Sequence, residues 1–228
     1  QLSVFLFTSY IHESLRNPVA LSKMKQGVRE WNSWVLNQPE TYIKGEIFTR
    51  TDFNGFNFKK VEFSIVKFDF SQMKNCSFES GALMIANFRS VDMQNSIFKK
   101  TEIDKCNFIY ANLRGAKFHS KYIAGNHFIG TNLENADFST SPFISKYNPR
   151  LKANIFRNSN LKDANFSNKT TEEMANTHFL LCNLENAVFR NADLRKVNFS
   201  RAYIKNADFT AANLDGAIFE KKWKTFLE

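Results

Sequence analysis

The sequence predicts an all-β solenoid closed at its N-terminal end by an α-helical cap. Three observations carry this expectation. Large apolar residues recur at every fifth position from Phe48 to Phe143 without a miss. A small residue stands two places before most of these centres, and Asn or Asp stands one place before many. Ahead of the register, Leu21, Met24, Val28, Trp31 and Val35 recur at helical spacing. A period of five is neither the helical period of about 3.6 nor the strand period of about two. It suits a chain of short extended segments separated by turns, in which each coil buries its inner face against its neighbours.

Composition narrows the classes before any element is placed. The chain has 228 residues, 25 of them Phe, which suffices for a sizeable core. Gly and Pro number only 8 and 4, so this is not a low-complexity chain. Three cysteines are no disulfide framework. No apolar run approaches the length of a membrane-spanning helix. The net charge of +9 favours anionic over cationic partners and says nothing of fold.

Taken in order, residues 1–16, "QLSVFLFTSYIHESLR", lack the basic start and small-residue cleavage site of a signal peptide. Beginning at Gln1, they read as a linker from an upstream region of a fragment or processed product. Residues 17–45 read as the cap. Asn17 is placed to cap a helix with Pro18 in its first turn, and Pro39 ends the element. Residues 46–219 carry the repeat. The register resumes after interruptions at Phe156 and at Phe179, giving 33 centres with Met174 included, and 20 of the 25 phenylalanines occupy them. Side chains two apart share one face of an extended segment, so a small inner residue leaves room for the bulky centre. Asn and Asp suit the turns because their side chains bond nearby backbone groups. From Phe88 to Phe138, Phe alternates with Leu, Ile or Met, a ten-residue period compatible with four sides or two. Residues 220–228, with Trp223, Phe226 and Leu227, read as a closing turn or a dimer contact.

Segments such as "ANLRG", "TNLEN", "ADFST" and "ADLRK" give the consensus A-(D/N)-(L/F)-x-x. This resembles the pentapeptide-repeat family over about residues 46–219. The run "QGVREWNSW" before Asn37-Gln38-Pro39 looks like the segment preceding the repeats in many bacterial members. The resemblance implies a right-handed quadrilateral β-helix with four pentapeptides per coil, hence about eight coils here and a tube of roughly 40 Å. Keeping the Phe alternation across the interruptions leaves eight extra residues within "ISKYNPRLKAN" and three within "SNKTTEEMANTH", both expected as corner loops. Phe56, Lys121 and Asn126 break the small-residue rule. A lysine cannot sit unpaired in the tube, so a bulge or outward turn is expected around residues 121–127.

No catalytic constellation is visible: HExxH, GxSxG and phosphate-binding glycine loops are missing from the sequence. Cys76, Cys106 and Cys182 fall at the small inner position and read as buried wall residues. His127 and His178 share a side two coils apart, about 10 Å, too far for one metal ion. No cofactor, no metal and no enzyme is expected. The remaining function is a surface. Phe70, Ile109, Tyr110, Ile129, Leu180 and Leu181 fall on one side as a discontinuous apolar strip, the candidate interface. Ile65, Met84 and Ile85 fall on another, where the cap is expected to cover them. Lys59-Lys60 and Lys99-Lys100, with Glu79 between, read as a solvated face.

The expected function is a non-enzymatic scaffold for protein–protein interaction with another protein, with a homodimer through the C-terminal end as a further contact. The resemblance implies a module of a bacterial multidomain or effector protein, acting in the bacterial cytoplasm or, if secreted, in a host cell. The alternative is a basic surface for a membrane or a nucleic acid, against which stands the lack of aromatic–basic interleaving on one exposed side. Some family members mimic DNA and bind type II topoisomerases. Residues 48–228 hold 26 Lys and Arg against 18 Asp and Glu, which disfavours that role.

Overall fold

The computed structural model describes residues 17–143, 154–174 and 177–223. Its organising feature is a backbone that returns to the same place after every fourth pentapeptide. Strand β1 (Thr41–Lys44) pairs in parallel with β2 (Val61–Ser64), which pairs with β3 (Ala82–Met84). β4 (Ile97–Lys99) lies on another side, so β3 pairs next with β5 (Glu102–Asp104). In the same way β4 pairs with β6 (Lys117–His119) and β5 with β7 (Tyr122–Ala124). The register is the same in every pair, with Thr41 opposite Val61 and Phe98 opposite Phe118. With one pentapeptide per side, that register makes four sides, resolving what the ten-residue period left open. The bridges on side 1 run through Ile47, Lys67, Asn87, Asn107, His127, Ile155, His178, Asn198 and Ile218. Asp52 begins the column on side 2 and Asn57 that on side 3, while β1, β2, β3, β5 and β7 form side 4.

The two interruptions fall where the register demands. Three bridges take a longer step across the first, as His127 to Ile155, and three across the second, as Ile155 to His178. These steps are one coil plus the eight extra residues and one coil plus the three. Most of the first insertion lies outside the described residues. In the second, helix α3 (Thr171–Met174) replaces a pentapeptide on side 4. It starts with a capping box: the Glu173 N–H donates to Thr170 Oγ1, and Glu173 Oε2 accepts from the Thr170 N–H at 2.8 Å. Glu173 Oε1 also accepts from the Phe143 N–H, which would otherwise lack a partner in the next coil. Met174 then fills the core position.

Each pentapeptide is built by local chemistry. In most pentapeptides the centre's carbonyl accepts from the N–H three residues on, as Phe68 from Ser71, and the second residue after the centre has positive φ, 62° at Phe70. This is the type II pattern. Asn or Asp before the centre accepts from the N–H two residues further on, as Asn107 from Ile109 at 2.9 Å, so its frequency reflects turn formation. The inner residue is often polar as well as small. Ser96 Oγ donates to the Met73 carbonyl and accepts from the Cys76 N–H in the coil before it. Asn126 does the same with its amide, donating to the Ile103 carbonyl and accepting from Cys106. It is therefore fully buried in a regular coil, and the expected bulge does not reach it. The distortion is confined to Ser120 and Lys121. Ser120 takes the inner place, bonding the Phe98 carbonyl, and Lys121 swings out to pair with Glu102 at 2.6 Å.

The axis is filled by two columns of rings. Phe68, Phe88, Phe108, Phe128 and Phe156 stack with centroids 5.0–5.1 Å apart on side 1. Phe78, Phe98, Phe118, Phe138 and Phe166 stack at 4.4–5.0 Å on side 3. The columns meet edge-on, as Phe118 and Phe128 at 88°. Aliphatic centres such as Met93, Leu113 and Ile103 fill the other two sides.

The cap is two helices. α1 (Pro18–Lys25) is started by Asn17, whose Oδ1 accepts from the Ala20 N–H at 2.9 Å. Gly27, at φ 101°, ends that direction, and α2 (Val28–Val35) begins anew, so the single helical spacing in the sequence spans a break. Trp31 is buried against Phe56 and Phe58, which explains the bulky residue at 56: it belongs to the end layer. Trp31 Nε1 donates to the Asn57 carbonyl at 2.6 Å, and Asn32 bonds the Gly55 carbonyl and the Asn57 N–H. The helix thus supplies hydrogen bonds to an otherwise open sheet edge. It closes the axial end and does not drape the wall. Ile65 and Ile85 are consequently 51% and 54% exposed and Met84 half-buried, against the expectation that the cap covers them.

Replacing Phe108 with Ala removes a ring held between Phe88 and Phe128, and the expected cost is about 3–5 kcal/mol in denaturant unfolding.

Candidate interaction face

The inward groups are chemically quiet. Cys76, Cys106 and Cys182 are all buried at the inner position. The thiols of Cys76 and Cys106 donate to the Phe53 and Leu83 carbonyls at 3.0 and 3.3 Å, and that of Cys182 to the Phe156 carbonyl. Burial pushes all three up to about 12, away from the thiolate. His127 and His178 share side 1 with Ile155 between them. Among the described residues no three His, Cys, Asp or Glu gather as a metal site, and no helix is long and apolar enough to cross a membrane. A cleft of about 360 Å³ between α1 and the first coil is lined by Leu21, Met24, Lys25, Glu46, Phe48, Thr51 and Phe53.

One buried ion pair was not legible in the sequence. Lys169 is almost fully buried where α3 interrupts side 4. Its Nζ lies 3.6 Å from Glu173, donates to the Ser141 carbonyl and sits 4.9 Å from the Phe143 ring centroid. Burial pulls its ammonium pKa down, and Glu173 opposes the shift. A lysine is tolerated inside because the inserted helix brings its carboxylate.

The walls differ in how their charges are used. On side 3, Glu79 pairs with both Lys59 and Lys99, and Arg190 pairs with Asp208. On side 2, Lys74 pairs with Asp92, Arg114 with Glu134 and Lys162 with Glu185. On side 4, Lys121 pairs with Glu102 and Arg195 with Asp193.

Side 1 and the corner that follows it carry the candidate strip, on the same backbone rungs that build the other corners. There the N–H of each second corner residue donates to the carbonyl of the first corner residue one coil on: Phe70 to Arg89, Ser90 to Ile109, Tyr110 to Ile129, Gly130 to Arg157, Asn158 to Leu180. These bonds, near 3.0 Å, stack Phe70, Ile109, Tyr110, Ile129, Leu180 and Leu181 on one corner. Phe70, Tyr110 and Leu181 are 49%, 57% and 38% exposed, while Ile109, Ile129 and Leu180 are half-buried beside them. Tyr110 lies over Gly130, where an added Cβ would meet its ring carbons at 2.6 Å. Gly130, at φ 64°, leaves the space that the Tyr110 ring occupies.

The same corner carries Arg50, Arg89, Arg157 and Arg201, with Lys67 on the adjoining face, all exposed. The Arg50 guanidinium sits 5.4 Å from the Phe70 ring centroid. Basic and aromatic residues therefore do interleave on one exposed edge, contrary to the sequence expectation. The signal was present: it appears when the corner columns are carried across both insertions, because Arg157 and Arg201 lie beyond one or both of them.

A coiled wall of five-residue steps, with chemistry confined to its outer surface, defines a β-solenoid repeat protein. Residues 182–220 match a family model described as pentapeptide repeats, with 8 copies, and residues 71–143 match one described as a pentapeptide repeat region. The chain belongs to the pentapeptide-repeat family. No curated protein matches it. Among solved structures it is similar to full-length QnrB1, described as a plasmid-mediated fluoroquinolone resistance protein, at 14% identity and a TM-score of 0.34, covering 82% of this chain and 97% of that one. It is also similar to HetL, a pentapeptide repeat protein involved in heterocyst differentiation regulation from Nostoc sp. strain PCC 7120, at 14% identity and 0.38, covering 82% and 94%. Rfr23 from Cyanothece 51142 gives 14% and 0.26, covering 83% and 94%.

The three thiols are expected to stay unreactive toward a disulfide reagent in the native protein and to react fully in denaturant. Rapid labelling of the native protein would contradict their inward placement.

Proposed function

We propose that the chain is a non-enzymatic protein-interaction scaffold that engages another protein along the corner after side 1. One observation supports this most strongly: the hydrogen-bonded rungs hold Phe70, Tyr110 and Leu181 exposed in a line, with Ile109, Ile129 and Leu180 half-buried beside them. Apolar side chains aligned outside a core suit an interface, and a rigid wall lowers the ordering cost of binding. A homodimer through the C-terminal end belongs to the same proposal. Phe209, Leu214 and Phe219 in the last coil are only partly buried, and Trp223 folds back so that its Nε1 donates to the Ala202 carbonyl at 3.1 Å. Phe226 and Leu227 lie outside the described residues. A DNA-mimic role is disfavoured by the net charge of +9.

Affinity purification with the wild type and with an Ile109→Glu/Tyr110→Asp variant tests this reading. Both positions are on the surface, and Asp tolerates the positive φ of residue 110. The variant is expected to keep its fold by circular dichroism and lose the proteins that wild type retains. Equal recovery by both would count against this corner.

A further inference from the structure

The strip that defines the proposed interface also holds cations that take no part in the ion pairs of the described residues. Ascending the corner, the rungs present Arg50, then Phe70, Arg89, Tyr110 with Ile109, Ile129, Arg157, Leu181 with Leu180, and Arg201. Charge and apolar surface take turns. Among the described residues, none of Arg50, Lys67, Arg89, Arg157 and Arg201 lies within ion-pair distance of a carboxylate, whereas Lys74, Lys99, Lys121, Lys162 and Arg190 on the other walls do; Lys60, Lys100, Lys117, Lys196 and Lys205 there are also outside the ion pairs. The acidic residues in these columns are Asp69 and Glu220; Asp69 accepts from the Asn87 side chain at 2.9 Å, and Glu220 pairs with Lys222.

Resting on the scaffold reading above, we propose that this corner binds an acidic polypeptide segment that alternates carboxylates with apolar side chains and lies along the solenoid axis. The charge complementarity is direct, and the cations are mostly the right kind. With Lys221 on the last rung counted, four of the six are Arg, whose planar fork pairs bidentately with a carboxylate, whereas the cluster on side 3 around Glu79 is built of Lys59 and Lys99.

The apolar partners of these cations separate a protein ligand from a nucleic acid. Base stacking needs free aromatic faces. Here Ile109, Ile129, Leu180 and Leu181 are aliphatic, Arg50 lies over Phe70, and Tyr110 lies against Gly130. These groups fit Leu, Ile or Phe side chains better than bases. The spacing adds a constraint. Rungs rise by about 4.8 Å, so Arg50 and Arg201, seven rungs apart, are separated by about 34 Å. An α-helix, rising about 5.4 Å per turn, stays closer in step with the rungs than a strand, whose same-side residues are about 6.8 Å apart. About 22 helical residues span the corner.

The test is a selection of random displayed peptides, long enough to span the corner as a helix, on the whole purified chain, followed by affinity measurement of the synthesised winners. Two folded variants report separately: Arg89→Glu/Arg157→Glu removes the charge pattern, and Gly130→Asn crowds Tyr110 while tolerating positive φ. Winners enriched in Asp and Glu alternating with Leu, Ile or Phe, and weakened about tenfold or more by each variant, support the proposal. Winners weakened by Gly130→Asn but indifferent to the arginine variant overturn the acidic-partner inference and leave the scaffold reading standing. Winners moved by neither variant overturn both. Tighter, arginine-dependent binding of a short oligothymidine or of anionic phospholipid vesicles than of any winner overturns it in favour of a nucleic acid or a lipid surface.

Discussion

The structure depends on a backbone that must return to the same position after every fourth pentapeptide, as Thr41 does at Val61. A coil of four short segments cannot satisfy its own peptide groups or bury its own centres. Both are completed only by the coils before and after it. The ladder and the ring columns therefore enforce the same register. Slip by one pentapeptide and Phe108 leaves the stack between Phe88 and Phe128; slip by one residue and it leaves the core. This double requirement also explains the inner position. A Ser, Thr or Asn there bridges two coils through one side chain, so the position is narrow in volume yet open to hydrogen-bonding residues.

Much of this was legible because it is periodic. The centres, the turns and the sizes of both insertions follow from spacing, and the bridges from His127 to Ile155 and from Ile155 to His178 match the extra residues counted in the sequence. The number of sides was not fixed by the ten-residue alternation and required the pairing of Phe98 with Phe118 and its equivalents. What could not be read was local substitution of one partner for another. Asn126 looks too large for the wall until its amide is seen between Cys106 and Ile103. Lys169 looks impossible inside until α3 brings Glu173 to it. Gly27 breaks the cap because of a backbone angle, although the apolar spacing around it suggests one helix.

The proposed interface is half legible in the sequence. The six apolar residues were placed on a common edge by counting alone, and the backbone bonds put them there. The arginines do not stand out in a charge summed over the chain, where +9 has no location. Located on the walls, part of the same charge is held by neighbouring carboxylates, as at Lys74, Lys99 and Lys162, and part of it stands unpaired beside exposed rings, as Arg50 does over Phe70. A solenoid makes that distinction meaningful, since its rigid rungs fix the distance between such groups before any partner arrives.

The most direct test is a distance. Gln72 and Tyr203 occupy the same face of side 2, six rungs apart, although they come from opposite ends of the repeat in sequence. Spin labels on cysteines introduced at these two positions, with the buried native thiols left in place, should give a narrow electron–electron distance near 29 Å at about 4.8 Å per rung. A two-sided coil of the same sequence would put them at about 58 Å, and a value near that, or a broad spread, would contradict the four-sided coil.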